Sequence, residues 1–369
     1  MTLIASVQTA KTPMIVPPRT PEQTRFELAV FSGLIVLLAL FTIYIKRQHF
    51  EMQRKIFFTV ATTLFLGMLG LIFFGAMVVS TRSGMAFMDW PTSDGLVWPR
   101  LDNWFHDSEK FYEHGHRLWA QAVGYLAIMC VICSFVCKEL KLRTYTLALL
   151  ALIIVQGIFG GWTVSRVTPW WASTLHGATA HICLALASTL SMMTSRYWSK
   201  LKVKMIDDSW FFSLPVWTSV IVFVQLLTGA VFRNSVKVAD LLPDGTPNLV
   251  DGKVVYHEQL DGNQFLLMTH MGFAMVVLLV LGLYIFFLFS NRLKSKYLKQ
   301  VSIFTAFALL LQITLGVVAL ITVKQRTENH YDQVMAILTS LHLANAALIL
   351  AICVTTAVYC RKVFKLRTD

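Results

Sequence analysis

Charge is what this chain has least of: 14% of its 369 residues are Asp, Glu, Lys or Arg, against 56% hydrophobic. A soluble domain carries about 25% charged residues. An enzyme of ordinary surface polarity is therefore excluded, and a polytopic membrane protein is implied. Acidic residues are the scarcer sign, which leaves a net charge of +12. That excess does not mark a nucleic-acid binder. Lys and Arg collect in short loops between apolar runs, the pattern of loops that face the cytoplasm.

Cysteine is also missing from every long connection. Cys130, Cys133, Cys137, Cys183, Cys353 and Cys360 all lie within or at the end of apolar segments. A structural disulfide on the outer face is not expected. The helically spaced Cys130, Cys133 and Cys137 read as small apolar filler rather than as a metal site. A signal-peptide pattern of basic start, apolar run and small-residue cleavage site is lacking at the N-terminus too. Residues 1–25 are Thr- and Pro-rich and read as a disordered tail.

What the chain has is apolar runs. About 20 such residues cross a bilayer as a helix, and nine stretches qualify: 27–45, 56–79, 114–136, 144–164, 172–194, 211–232, 264–289, 301–322 and 336–359. The connections 46–55, 138–143, 196–204 and 292–299 and the tail 361–367 are short and basic. They alternate with loops 80–113, 165–171, 233–263 and 323–335 of mixed charge. The basic set predicts an N-terminus outside and a C-terminus in the cytoplasm, in a bacterial inner membrane.

The chain also repeats itself. Phe74-Gly75-Ala76-Met77-Val78 resembles Thr228-Gly229-Ala230-Val231-Phe232, and Phe111 to His116 matches Phe265 to His270 at identical spacing. Val155-Gln156-Gly157-Ile158-Phe159-Gly160 matches Leu311-Gln312-Ile313-Thr314-Leu315-Gly316, and Thr174-Leu175-His176 matches Ser340-Leu341-His342. The expected fold is all-α: an extra transmembrane helix within 26–50, then two parallel four-helix halves, 52–205 and 206–369.

The repeat places four histidines at equivalent depths. Intramembrane histidines are costly and rare. Here His116 and His176 sit near the outer ends of the second and fourth helices of one half, and His270 and His342 do so in the other. Two such imidazoles facing across a bundle core suit the axial positions of a haem iron. All four are candidate metal ligands. His181 competes with His176 on the same helix, and the Leu-His match to Leu341-His342 favours His176. His114, two residues from His116, points elsewhere on a helix and reads as a surface or propionate-contacting group. His49, His106, His257 and His330 fall in loops and read as solvated.

One difference between the halves stands out. Glu113 lies three residues before His116, on the same helical face, whereas its counterpart is Leu267. A carboxylate beside one site and an aliphatic beside the other predicts proton-coupled chemistry at the first and electron carriage at the second. The duller reading is a carboxylate near a helix start. Arg117, and Arg82, Arg166 and Arg233 at outer helix ends, are candidates for haem propionates. Gly75, Gly157, Gly160, Gly161, Gly229 and Gly316 permit close helix contact, or clear space for a porphyrin face.

Glu113-x-x-His116-Arg117, the stretch from Ser83-Gly84 through Asp89-Trp90-Pro91 and Gly95, the run Gln156 to Gly161 and the second histidine pair together resemble the haem A synthase family. That family's eight helices would cover 56–360. The resemblance implies oxidation of haem O at one ring methyl, which becomes a formyl group through successive hydroxylations. It implies a haem b cofactor on His270 and His342, and substrate haem between His116 and His176 with Glu113 and Arg117 nearby. Glu113 and His116 would be the catalytic pair. An unidentified electron donor, and haem O synthase or cytochrome oxidase assembly factors, are the expected partners besides haem O and the lipid bilayer. Helix 27–45 lies outside the usual eight. Loop 80–113 lacks the cysteine pair that some members carry. The competing classes are a di-haem b electron-transfer cytochrome and a haem transporter or chaperone.

Overall fold

The computed structural model describes residues 20–98, 106–206, 209–250, 253–258, 263–290, 295–325 and 333–366. Among these, nine helices are long and apolar enough to cross a membrane. They are α1 (Pro21–Arg47), α2 (Phe50–Ser80), α3 (Ser108–Val136), α4 (Leu140–Ser165), α5 (Trp170–Thr194), α7 (Trp210–Ser235), α8 (Gln264–Ser290), α9 (Lys296–Gln325) and α10 (Gln333–Val363), with a single turn, α6 (Arg196–Ser199), after α5. Each contains one of the nine expected apolar stretches. The protein is an integral membrane protein.

Helices α1 and α3 start earlier than their apolar stretches because polar caps extend them. Thr20 caps α1, accepting from the Gln23 N–H while the Gln23 side chain answers back, and Pro21 occupies the first turn. The last five residues of the expected tail are therefore helical, and residues 1–19 lie outside the described residues. Asp107 caps α3 by accepting from the N–H groups of Glu109 and Lys110. Glu113 thus sits more than a turn inside α3 and is no helix-start carboxylate.

Helices α2, α3, α4 and α5 pack in a closed ring, each against the next and α5 against α2. Helices α7, α8, α9 and α10 do the same. The rings meet through α5 on α10, α2 on α10 and α5 on α7. Polar side chains cross this seam. Ser188 bonds Thr355 at 3.0 Å, Asn234 bonds Thr174 at 3.2 Å, and Ser80 bonds Thr339 at 3.2 Å. Hydrogen bonds between helices hold membrane bundles together where no hydrophobic drive separates protein from lipid. Cys130, Cys133 and Cys137 pack in the apolar core of the first ring, beside Leu64, Leu149 and Leu184.

Small strands complement the helices. β1 (Lys204–Ile206), in the link between the rings, pairs in parallel with β6 (Phe364–Leu366) after α10. On the opposite side, the α7–α8 connection folds back as β2 (Lys237–Ala239) on β5 (Tyr256–Glu258), enclosing β3 (Leu249–Val250) on β4 (Lys253–Val254). That side also carries the α2–α3 connection and is called the loop side below. Among the described residues, helix α1 packs lightly on α2 and α3 and is largely exposed along its length.

Candidate haem sites

Each of the four histidines stands about two turns inside the loop-side end of its helix. Each rests against a glycine of the preceding helix. A Cβ added at Gly75 would come within 2.9 Å of the His116 ring, and one at Gly160 within 2.9 Å of His176. At Gly229 the distance to His270 would be 2.8 Å, and at Gly316 the distance to His342 would be 3.0 Å. These four glycines let the helices close until an imidazole lies on the neighbouring backbone. Gly161 serves Trp90 in the same way, with a Cβ clash at 2.5 Å, while Gly157 meets nothing within 4 Å and does neither job.

His116 and His176 face one another with ring centroids 6.4 Å apart. A metal–imidazole bond is about 2 Å, so two rings sharing one ion stand roughly 6 Å apart. The pair fits a single iron. His181, the rival on α5, is not part of it: it is buried with Nε2 unbonded and lies on another face of the helix. His270 and His342 lie close enough to interact electrostatically.

Ligation by Nε2 requires Nδ1 to be protonated and held. The Gln156 backbone carbonyl accepts from His176 Nδ1 at 3.0 Å, and the Gln156 amide lies 3.1 Å from the same atom. Gln225 and Thr228 approach His270 Nδ1 at 3.1 and 3.0 Å. The Gln312 amide nitrogen lies 3.1 Å from His342 Nδ1. Like the amide nitrogens of Gln156 and Gln225 it is a donor, so it packs against the ring and does not accept from a protonated Nδ1, and its Oε1 accepts from Asn345. These glutamines stand one turn before the cradle glycines. Their role is not visible in a list of candidate ligands, yet the recurrence of Gln four residues before Gly on three helices is a signal the sequence does carry.

Glu113 is 3% exposed. Its Oε2 accepts from the Phe87 N–H at 2.9 Å and its Oε1 pairs with the Arg117 guanidinium. Arg117 also donates to the carbonyls of Asp89, at 2.6 Å, of Phe87, at 3.1 Å, and of Thr92. Both of its terminal nitrogens are engaged by the α2–α3 loop and Glu113. His114 is buried too, 3.0 Å from Ser93 Oγ and edge-on to Phe87, so it is no surface group. His49 and His106 are exposed as expected, His257 is half-exposed on β5, and His330 lies outside the described residues.

The loop organised by Glu113, His114 and Arg117 of α3 lies over the first site. Asp89 pins its turn, accepting from Thr92 Oγ1 at 2.5 Å and from the N–H groups of Asp94 and Gly95 at 2.9 Å each. Burial pushes the Asp89 carboxyl up, but those donors outweigh it and leave it below its usual range. Trp90 then inserts against Gly161, next to the glycine that seats His176. The far end of the loop is held from α1: buried Glu27 accepts from the Val97 N–H, and Phe31 meets Trp98 with ring centroids 4.7 Å apart. Arg233 of α7 crosses the seam to donate to Ala76 O and Ser80 Oγ, both at 2.6 Å, and Arg166 ends α4 in an exposed position.

A family model described as cytochrome oxidase assembly protein, COX15-CtaA, matches residues 58–354. The chain belongs to that family. It is similar to a heme A synthase of Caulobacter vibrioides, 27% identical over 143 residues, or 36% of this chain and 42% of that protein. A heme A synthase of Beijerinckia indica is 31% identical over 137 residues, 34% and 38% of the two chains. One of Rhizobium rhizogenes is 26% identical over 175 residues, 45% and 40%. The aligned part thus spans less than half the length of these curated relatives. The family match covers α2 to α10, so α1 lies outside it, and the four histidines, their cradle glycines and Glu113 all lie inside.

Proposed function

We propose that the protein is a haem A synthase that oxidises a ring methyl of haem O to a formyl group. One observation carries the reading: His116 and His176 face each other at one-iron separation in a helix ring that also buries Glu113, under a loop fixed to that carboxylate. The match to heme A synthases supports it. In this reading residues 52–205 form the substrate half and 206–369 the cofactor half. The long-loop side faces outward across a bacterial cytoplasmic membrane, with the N-terminus outside and the C-terminus inside.

His270 and His342 would hold a haem b, their rings seated on Gly229 and Gly316, with the Thr228 hydroxyl against His270 Nδ1. Bound there, such a haem supplies one-electron chemistry. His116 and His176 would grip the iron of substrate haem O and so fix the porphyrin in one plane of the bundle. Two hydroxylations at one methyl would give a geminal diol, which loses water to leave the formyl group; each adds one oxygen atom and removes two electrons from the carbon, and an external oxidant must take these up. Glu113 gives and takes protons at its carboxylate during these steps, a task for a side chain held within reach of the reacting group. Arg117 keeps that carboxylate in place and, through the carbonyls of Phe87, Asp89 and Thr92, closes the loop above it. Trp90 against Gly161 helps exclude water.

The test compares pigments extracted from cells making the wild-type chain and the Glu113→Gln variant. Haem A appears with the wild type only, while the purified variant keeps its bound haem. Haem A from the variant at wild-type level removes Glu113 from the chemistry. Haem b alone from both indicates an electron-transfer cytochrome instead.

A further inference from the structure

Three connections from different parts of the chain converge at the loop-side mouth of the first ring. The α2–α3 connection brings Gly84, where an added Cβ would lie 3.9 Å from the Thr168 methyl of the α4–α5 link. The Thr168 hydroxyl in turn hydrogen-bonds the phenol of Tyr256 on β5, which belongs to the second ring. The hairpin that carries Tyr256 is rooted at the seam. Asn234, just before it, bonds Thr174 of α5, and Asn263, just after it, donates to Ser235 O at 3.3 Å. Strand alternation turns Tyr256 inward with its cross-strand partner Ala239, which is buried, while the adjacent His257 is half-exposed. The inward phenol lies within electrostatic range of Glu113, Glu109 and Arg82. Glu109 and Glu113 stand four residues apart on one face of α3, Glu113 buried and Glu109 half-buried in the first turn. Burial pushes the Tyr256 phenol up to about 12, so it stays protonated and able to donate at neutral pH.

We infer that Tyr256 relays protons between Glu113 and Glu109, so that a hairpin of the second ring completes the first site. The inference rests on the reading of Glu113 as the group that gives and takes protons there. A carboxyl buried this deeply trades protons with outer water through groups that both donate and accept. A phenol does both, and Thr168, donating to its oxygen, leaves the phenol hydrogen free for a carboxylate. In the outward direction the Glu113 acid gives its proton toward the phenol oxygen as the phenol hydrogen passes toward the Glu109 carboxylate. One bridging water completes each gap. One proton leaves Glu113, one arrives on Glu109, no electron moves, and rotation of the phenol resets it; the return direction refills Glu113. Arg82, the cation facing the same phenol, keeps its protons and takes no part. Tyr256 acts on the substrate only through Glu113.

The experiment follows the Glu113 carboxyl by infrared spectroscopy in the purified full-length protein, at a pH where its protonated band is present. The band is assigned by its loss in Glu113→Gln, and it shifts in heavy water as the proton exchanges. Tyr256→Phe, which removes only the phenol oxygen, slows that exchange about 100-fold or more, the scale on which a positioned proton-transfer group acts. Glu109→Gln slows it too, and serves if Tyr256→Phe does not fold. The double variant is no slower than the slower single one, because links in series do not add. His257→Ala, on the outward face of the same strand, exchanges at the wild-type rate. Amide protection of residues 85–98, which a merely structural role would loosen, is unchanged in Tyr256→Phe. Unslowed exchange at Glu113 in folded Tyr256→Phe, effects that multiply in the double variant, or loosened protection at 85–98 overturns the inference. Slowed exchange in a protein that never yields haem A leaves the relay standing and sinks the proposed function. Haem A from the wild type with unslowed exchange in Tyr256→Phe does the reverse.

Discussion

A methyl group at Gly229 would come within 2.8 Å of the His270 ring, closer than packed atoms approach. Gly229→Ala must push the imidazole or the helix aside, at about 1–3 kcal/mol for overpacking. Most of the haem at the second site is then expected to be lost, read as the absorbance ratio of haem to protein after purification. Gly157→Ala, with nothing within 4 Å, is the matched control and keeps wild-type content. This distinction is invisible in sequence, where each is simply a glycine within an apolar helix. The histidines themselves were legible because four polar side chains at repeated positions cannot be lipid-facing filler. The charge of Arg117 suits a haem propionate; the structure adds its pairing with Glu113 and its bonds to the carbonyls of Phe87, Asp89 and Thr92, which no local spacing in α3 announces.

At the scale of elements, the α2–α3 loop and α1 form one unit. Asp89 holds the loop turn with a carboxyl below its usual range. A depressed folded value means the contribution is full above the unfolded carboxylate range and is lost as pH falls through the folded value. Loop protection, followed by hydrogen exchange of residues 85–98, is therefore predicted to hold at neutral pH and to fail below about pH 4. Asp89→Asn should expose the loop already at neutral pH. Glu27→Ala leaves the Val97 N–H without its carboxylate, a loss of about 1–3 kcal/mol for a buried donor. Faster exchange at 96–98 with α3 unaffected is the expected result; exchange unchanged from wild type would show that α1 does not hold the loop. The nine helices could be read from apolar run length alone. The strands β2–β5 could not, since their pairing depends on turns inside a polar connection that carries little hydrophobic pattern.

On the scale of the whole molecule, the chain repeats a four-helix packing scheme and then breaks its equivalence at a few side chains. Glu113 stands against Leu267, which under the proposed function makes the first site the place for chemistry. The repeat was readable because each helix keeps one matching motif in order. That α2 carries Leu71 where α7 carries Gln225 was hidden, because the visible similarity began at Phe74 and Thr228 and so stopped short of both. Arg233, which reaches from α7 to Ala76 and Ser80 of α2, ties the second ring to the helix that seats His116. Arg233→Leu is expected to lower thermal stability of the purified protein by about 1–3 kcal/mol through the two lost charge-assisted bonds to Ala76 O and Ser80 Oγ; a melting temperature equal to wild type would refute that tie.

The central claim is that two histidine pairs hold porphyrin iron at sites with different tasks. Haem extraction and mass analysis of the purified protein tests it most directly, comparing wild type with His270→Ala and His116→Ala. The account predicts haem b together with haem O or its oxidised products in the wild type. It predicts loss of haem b alone in His270→Ala, and loss of the haem O series alone in His116→Ala. Haem b at both sites with no haem O or oxidised species in any preparation would contradict it.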